Sequence, residues 1–82
     1  MALFFFDIDD GAATFSDPEG SHAVDLAAAR KIGRQALQES MRDNVDDDAA
    51  HTRLQMTILD AERLPVWVLT VTLSSAEPRR PH

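Results

Sequence analysis

The sequence predicts a two-layer α+β domain, in which one long amphipathic helix covers an antiparallel sheet of about four strands in the order β-β-α-β-β. Three observations predict this fold. Apolar side chains alternate with period two near both ends of the chain, a 3.6-residue repeat lies between them, and turn residues separate these segments. Since 82 residues with 44% apolar content suffice for one core, we expect a single domain over residues 1–74 and a flexible tail over residues 75–82.

The first strand is predicted at Ala2–Asp9, where alternation places alternate side chains on opposite faces. It is too short for a signal or membrane segment. The core face is predicted to hold Phe4, Phe6 and Ile8, and the other face Leu3, Phe5, Asp7 and Asp9.

Two turn motifs follow this strand. Asp10 and Gly11 form the pair typical of a type I′ hairpin turn, which predicts a return strand over residues 12–16. Residues 17–20 (DPEG) have the pattern of a type I turn, at which we expect the chain to reverse.

The helix is predicted to begin at Leu26, capped by Asp25, and to run to about Arg42. Its buried face consists mostly of small residues, and we attribute Gly33 to close packing on the sheet. The predicted buried positions are Leu26, Ala29, Gly33, Ala36, Leu37, Ser40 and Met41.

The last two strands are predicted over residues 53–59 and 65–73, joined as an antiparallel hairpin by residues 60–64. An Asp-rich, solvated loop over residues 43–51 should precede them. The side chains predicted to face the helix are Leu54, Met56, Ile58, Trp67, Leu69, Val71 and Leu73.

Charge and composition narrow the classes of partner. Eight Lys and Arg against fourteen Asp and Glu give a formal net charge of -6, which opposes unspecific binding to nucleic acid or to anionic lipid. The chain has no cysteine, which excludes a disulfide framework and a thiolate metal site and is compatible with a reducing compartment. We therefore expect a cytoplasmic protein with neither a nucleic-acid nor a membrane partner.

No constellation of residues predicts a catalytic, cofactor or metal site. Asp46, Asp47 and Asp48 near His51 offer ligands for a divalent ion, but a solvated acidic loop is the favoured interpretation. One basic stripe on the helix offers a surface for an acidic partner or nucleic acid, although solvated charges that balance the Asp-rich loop are favoured there. This stripe comprises Arg30, Lys31, Arg34 and Arg42.

Residues 4–11 (FFFDIDDG) resemble the strand and Asp-x-Asp-Gly motif of haloacid-dehalogenase phosphatases. In that family one carboxylate attacks phosphorus and another acts as acid and base beside Mg²⁺, so the resemblance implies such roles for Asp7 and Asp9. The chain departs from the pattern, because an extra Asp precedes Gly11, Ala12 replaces the usual Thr, and the family's parallel α/β core is far larger. A small metal-assisted phosphohydrolase-like enzyme using Asp7 and Asp9 is the alternative function.

The chain as a whole resembles a family of short uncharacterised proteobacterial proteins, a domain of unknown function. The resemblance rests on residues 4–11 (FFFDIDDG), 17–20 (DPEG), 25–30 (DLAAAR) and 66–71 (VWVLTV). It covers about residues 3–73, and its motifs are turns and helix caps that imply no chemistry. The connection at residues 60–63 lacks the Gly often found there, which leaves that turn's type open.

One helix is too narrow to cover the whole sheet, because it is about 10 Å wide and strands lie about 4.8 Å apart. Five apolar side chains remain on the face away from the helix, and their burial would gain on the order of 7 to 15 kcal/mol before the costs of association. We therefore predict a non-enzymatic protein-interaction or regulatory module that forms a two-fold homodimer through sheet faces or edge strands. The predicted interface residues are Leu3, Phe5, Leu59, Val66 and Val68.

Overall fold

The computed structural model describes residues 1–44 and 51–74. Its elements are β1 (Ala2–Asp9), β2 (Thr14–Phe15), β3 (Ser21–Ala23), α1 (Leu26–Asn44), β4 (His51–Leu59) and β5 (Pro65–Ser74). All strand pairs are antiparallel, the sheet order is β2-β1-β4-β5, and β3 pairs with the first half of β1. The α+β fold and the β-β-α-β-β order are confirmed, with the return strand divided into β2 and β3.

The loop from β1 to β2 is not a type I′ turn, so that prediction from the sequence is wrong. Among the described non-glycine residues only Arg63 has a positive φ, so Asp10 does not adopt the conformation that a type I′ turn requires. The Asp10 carboxylate instead accepts the N–H groups of Ala12 and Ala13, at 2.9 and 2.8 Å. These bonds, that from Ala13 first, lower the pKa of Asp10 below its usual 3.8. The longer loop leaves only Thr14–Phe15 of the expected return strand over residues 12–16.

The chain does not reverse at residues 17–20, contrary to the sequence prediction. Because β2 and β3 are both antiparallel to β1, they run in the same direction. The Asp17 carboxylate accepts the N–H groups of Gly20 at 2.9 Å and of Phe6, in β1, at 3.2 Å. The Asp17 N–H in turn donates to Asp7 at 3.1 Å. The chain therefore loops out from β1, bound to it by Asp17, and rejoins it as β3.

Helix α1 begins where the sequence predicts, because Asp25 Oδ1 accepts the N–H of Ala28 at 2.8 Å. A Cβ atom at Gly33 would lie 2.9 Å from Met56 Sδ and 3.4 Å from Ile58 Cδ1. The absence of a side chain there lets α1 approach β4 closely, as predicted. No helix within the described ranges combines the length and apolar character needed to cross a bilayer.

The core lies between α1 and the sheet in two clusters, and Phe6 packs against both. Leu54, Met56 and Ile58 of β4 are fully buried, which confirms their predicted inward orientation. The first cluster comprises Phe4, Ala23, Ala29 and Ile58, and the second Leu37, Leu54 and Met56, with Leu69 and Val71 packed against it. Residues 45–50 of the predicted loop, the side chains of Met41 and Leu73, and the predicted tail lie outside the described part.

The turn between β4 and β5 is closed by a hydrogen bond from the Arg63 N–H to the Asp60 carbonyl, at 2.9 Å. Arg63 then adopts φ 61°, the left-handed conformation that favours glycine. One residue of β5, Val66, has no partner in β4, because Leu59 pairs with Pro65 and Ile58 with Trp67. The turn type that the sequence left open is thus a tight turn followed by a left-handed residue and a bulge.

Candidate functional site

The sheet face turned away from α1, here called the open face, holds most of the predicted interface. Phe5 and Leu59 are paired there and are only 7% and 9% exposed in the single chain. Val66 and Val68 of β5 are 37% and 52% exposed, and Leu3 is half-buried. The accessible apolar surface of this set is therefore greatest on β5, and the interface itself stays a prediction.

Two contacts explain why Phe5 is buried without a partner chain. The Arg63 guanidinium lies over the Phe5 ring, 3.9 Å from its centroid. Gly20 also lies against Phe5, because a Cβ atom there would be 3.1 Å from Phe5 Cδ1 and 3.0 Å from Leu3 Cδ1. Contact between two sheet faces would consequently gain less apolar burial than five exposed side chains would provide.

Asp7 and Asp9 lie on the polar half of the open face, and both accept main-chain N–H groups. Asp7 Oδ1 accepts from Asp17 at 3.1 Å, and Asp9 Oδ1 accepts from Gly11 at 2.8 Å. Within residues 1–44 and 51–74, no three His, Asp or Glu side chains are grouped so as to hold a metal ion. Asp46, Asp47 and Asp48 lie outside the described residues. The visible role of Asp7 and Asp9 is to organise the loops beside β1.

The outer edge of β5 is the strongest candidate for an interaction site. The sheet order places β5 at the end of the sheet, and no described strand pairs with its outer side. Its ten residues contain no charged side chain, and its single proline is Pro65, at the first position. Natural edge strands are usually protected by charges, proline or bulges, and beyond the bulge at Val66 this one is not.

The pairing pattern identifies which backbone groups face outward. In β1 the Phe6 N–H donates to Asp17, away from β4. The backbone N–H and C=O groups of successive residues point to opposite edges of a strand. The residue pairs between β1 and β4 and between β4 and β5 therefore fix which residues of β5 point toward β4 and which point away from it. The N–H and C=O groups of Val68, Thr70 and Thr72 therefore face the outer edge.

A cleft lies beside this edge, on the helix side of the sheet. Because α1 packs mainly on β4, β3 and β1, it leaves part of β5 uncovered. The resulting α1–β5 cleft has a volume of about 220 Å³. Its lining residues are Arg34, Leu37, Gln38, Leu69 and Val71.

Arg30 and Trp67 lie next to this cleft, one helical turn before Arg34 and two residues before Leu69. The Arg30 guanidinium stacks over the Trp67 ring, 4.4 Å from its centroid. Arg30 Nε is buried, and no residue of the described part accepts a hydrogen bond from it. Of the predicted basic stripe, Lys31 is exposed and the side chain of Arg42 lies outside the described part.

The sequence pattern of the family described as Domain of unknown function (DUF6894) matches residues 3–72. This chain belongs to that family. The DUF6894 match begins in β1 and ends in β5, so it includes the α1–β5 cleft and the outward-facing residues of β5. No curated protein and no solved structure matches the chain. The resemblance to an uncharacterised domain family is confirmed, whereas the family's motifs and its proteobacterial origin stay predictions.

Sequence reasoning found the cations of this DUF6894 domain but missed the cleft that two of them border. The available signal was the matching spacing of the two elements. Four residues of a helix rise about 6 Å and two residues of a strand about 6.6 Å. Since these two distances are nearly equal, Arg30 lies beside Trp67 and Arg34 lies beside Leu69 when β5 runs next to α1.

Proposed function

We propose that this DUF6894 domain is a small, non-enzymatic protein-interaction module of the cytoplasm, and that its first partner is a second copy of the same chain. The observation that carries the proposal is the unpaired, uncharged outer edge of β5. Outward-facing N–H and C=O groups accept a further strand, which is a general mode of protein recognition.

Pairing of two β5 strands satisfies the two-fold symmetry that the sequence prediction requires. Antiparallel strands of identical sequence present the same groups to each other, so the contact is self-complementary. It also places Val68, 52% exposed in the single chain, against the partner strand on the open face. Because Phe5 and Leu59 are already buried, edge pairing is favoured over contact between sheet faces.

The test is the mass of the protein in solution, with a variant that alters only the outer edge. We expect the wild type at micromolar concentration to sediment at twice the chain mass of 9.1 kDa. Thr70→Pro removes an outward N–H and is tolerated on the outer side of an edge strand, so it should yield the single chain. Thr70→Val keeps the N–H and should remain a dimer.

Two results would contradict the proposal. A wild type that sediments as a single chain, or a Thr70→Pro variant that still forms the dimer, excludes pairing through β5. Magnesium-dependent hydrolysis of p-nitrophenyl phosphate that Asp7→Asn abolishes would show an enzyme instead of a non-enzymatic module.

A further inference from the structure

The α1–β5 cleft combines an apolar floor with a single cation on its helix rim. Leu37, Leu69 and Val71 form the floor, and Leu37 is buried while the other two are half-buried. The helix rim carries Arg34 and Gln38, whereas the strand rim has no charged residue, because β5 contains none. The field inside the cleft is therefore set by arginine on the helix side.

The neighbouring Arg30 adds a second cation with unused hydrogen-bonding capacity. Its guanidinium is held against Trp67, and its buried Nε has no acceptor among residues 1–44 and 51–74. Since Nε itself is inaccessible, the remaining N–H donors of this half-buried guanidinium are the groups that can meet an acceptor from outside. A carboxylate is an acceptor that guanidinium groups bind through strong, charge-assisted hydrogen bonds.

From this arrangement we propose that the α1–β5 cleft binds an acidic peptide segment of another protein. One aliphatic side chain of that segment lies on Leu37, Leu69 and Val71. A neighbouring carboxylate lies beside Arg30 and Arg34. The volume of about 220 Å³ accommodates one such side chain but not a folded element.

Charge complementarity decides this occupant. The chain has a formal net charge of -6, so this rim is an exception within an acidic protein. A nucleic acid is disfavoured because the floor is aliphatic, whereas single strands bind stacking aromatic platforms. The proposal does not depend on the pairing of two copies, since every lining residue belongs to one chain.

Trp67 is the sole tryptophan and lies beside the cleft, so its fluorescence reports occupancy directly. The probe is the peptide acetyl-Glu-Leu-Glu-Leu-Glu-amide, titrated into the full chain. We expect a saturable change in Trp67 emission that weakens several-fold as sodium chloride is raised, because the rim charges become screened. The same peptide with Gln for Glu, or with Ser for Leu, should bind about tenfold more weakly.

Two variants of α1 provide a matched comparison. Arg34→Gln removes a cation from the cleft and should raise the dissociation constant for the peptide about tenfold. Lys31→Gln removes the same charge from an exposed position of the same helix and should change it less than about twofold. Both positions are solvent-exposed, so unchanged circular dichroism is expected and loss of folding does not confuse the result.

The outcomes are separable from those of the β5 experiment. Peptide binding that persists in Thr70→Pro supports the cleft even where that variant is a single chain. Absence of a saturable change, equal losses in Arg34→Gln and Lys31→Gln, or tighter binding of an oligothymidylate than of the peptide would each overturn the proposal.

Discussion

The two edges of the sheet differ in whether their outward-facing backbone groups are paired. At the edge beyond β1, the chain returns twice, as β2 and β3, and the Asp17 carboxylate accepts the Phe6 N–H that lies between them. At the outer edge of β5, no described strand pairs with the chain. The chain's own residues thus bind the backbone groups at the β1 edge, whereas the backbone groups at the β5 edge stay available for pairing with another strand.

A side chain substitutes for a strand at the β1 edge. Carboxylate oxygens are strong acceptors, and one Asp17 side chain serves the N–H groups of Phe6, Glu19 and Gly20. The edge of β5 has no comparable side chain, because its outward-facing residues Val68, Thr70 and Thr72 carry no carboxylate. We therefore expect substitutions at the β1 edge to alter folding and those at the β5 edge to alter association.

The largest effect is expected from filling the space at Gly20. Gly20→Ala places a Cβ 2.7 Å from the Phe4 carbonyl oxygen, which is a steric clash. It also forces alanine into φ 75°, a conformation that is unfavourable for residues with a Cβ. The free energy of unfolding, measured by urea denaturation, should fall by about 3 kcal/mol. Gly11→Ala is the matched control, because Gly11 has φ 93° with no atom near its Cβ position, and it should lose about 1 kcal/mol. Equal losses at the two glycines would show that crowding at the β1 edge is unimportant.

Removal of the Asp17 carboxylate should have the next largest effect. Asp17→Ala leaves the half-buried Phe6 N–H without its acceptor and should lower the free energy of unfolding by about 2 kcal/mol. Glu19→Ala, two residues away and exposed, should change it by less than about 0.5 kcal/mol. Thr72→Val at the β5 edge should be similarly small. If Asp17→Ala proves as mild as Thr72→Val, the two edges do not differ in the proposed way.

The smallest expected effect concerns Arg63, at the entry to β5. Arg63→Ala removes the contact with Phe5 while keeping an unfavourable φ of 61°, and should lower the free energy of unfolding by about 1 kcal/mol. Arg63→Gly removes the same contact but relieves the backbone, so thermal denaturation should show it more stable than Arg63→Ala by about 1 kcal/mol. An alanine variant at least as stable as the glycine variant would argue against the left-handed conformation.

Most elements of the fold were predictable because their signals are local. The Asp25 cap sets the start of α1, and alternation in β4 assigns Leu54, Met56 and Ile58 to the core. The loops were predicted less well. Asp10 and Gly11 have the composition of a type I′ turn. The Asp10 carboxylate instead accepts the N–H groups of Ala12 and Ala13, which gives a longer loop.

The candidate sites depended more strongly on contacts between distant residues. The uncharged outer edge of β5 is visible in the sequence once β5 is known to be the last strand of the sheet. By contrast, Phe5 was predicted to be exposed and is buried. The side chain of Arg63, in the turn between β4 and β5, covers its ring. The α1–β5 cleft was not predicted, because helical periodicity places Arg34 on a face without identifying the strand beside it.

The amino-acid sequence alone determined the two faces of β1, β4 and β5 and the capped start of the helix, since each depends on residues only a few positions apart. The tertiary structure decided which edge stays unpaired, which apolar side chains are covered, and where arginine meets an apolar floor. Each of these properties requires two segments that are remote along the chain to lie side by side, and periodicity within either segment does not specify that pairing.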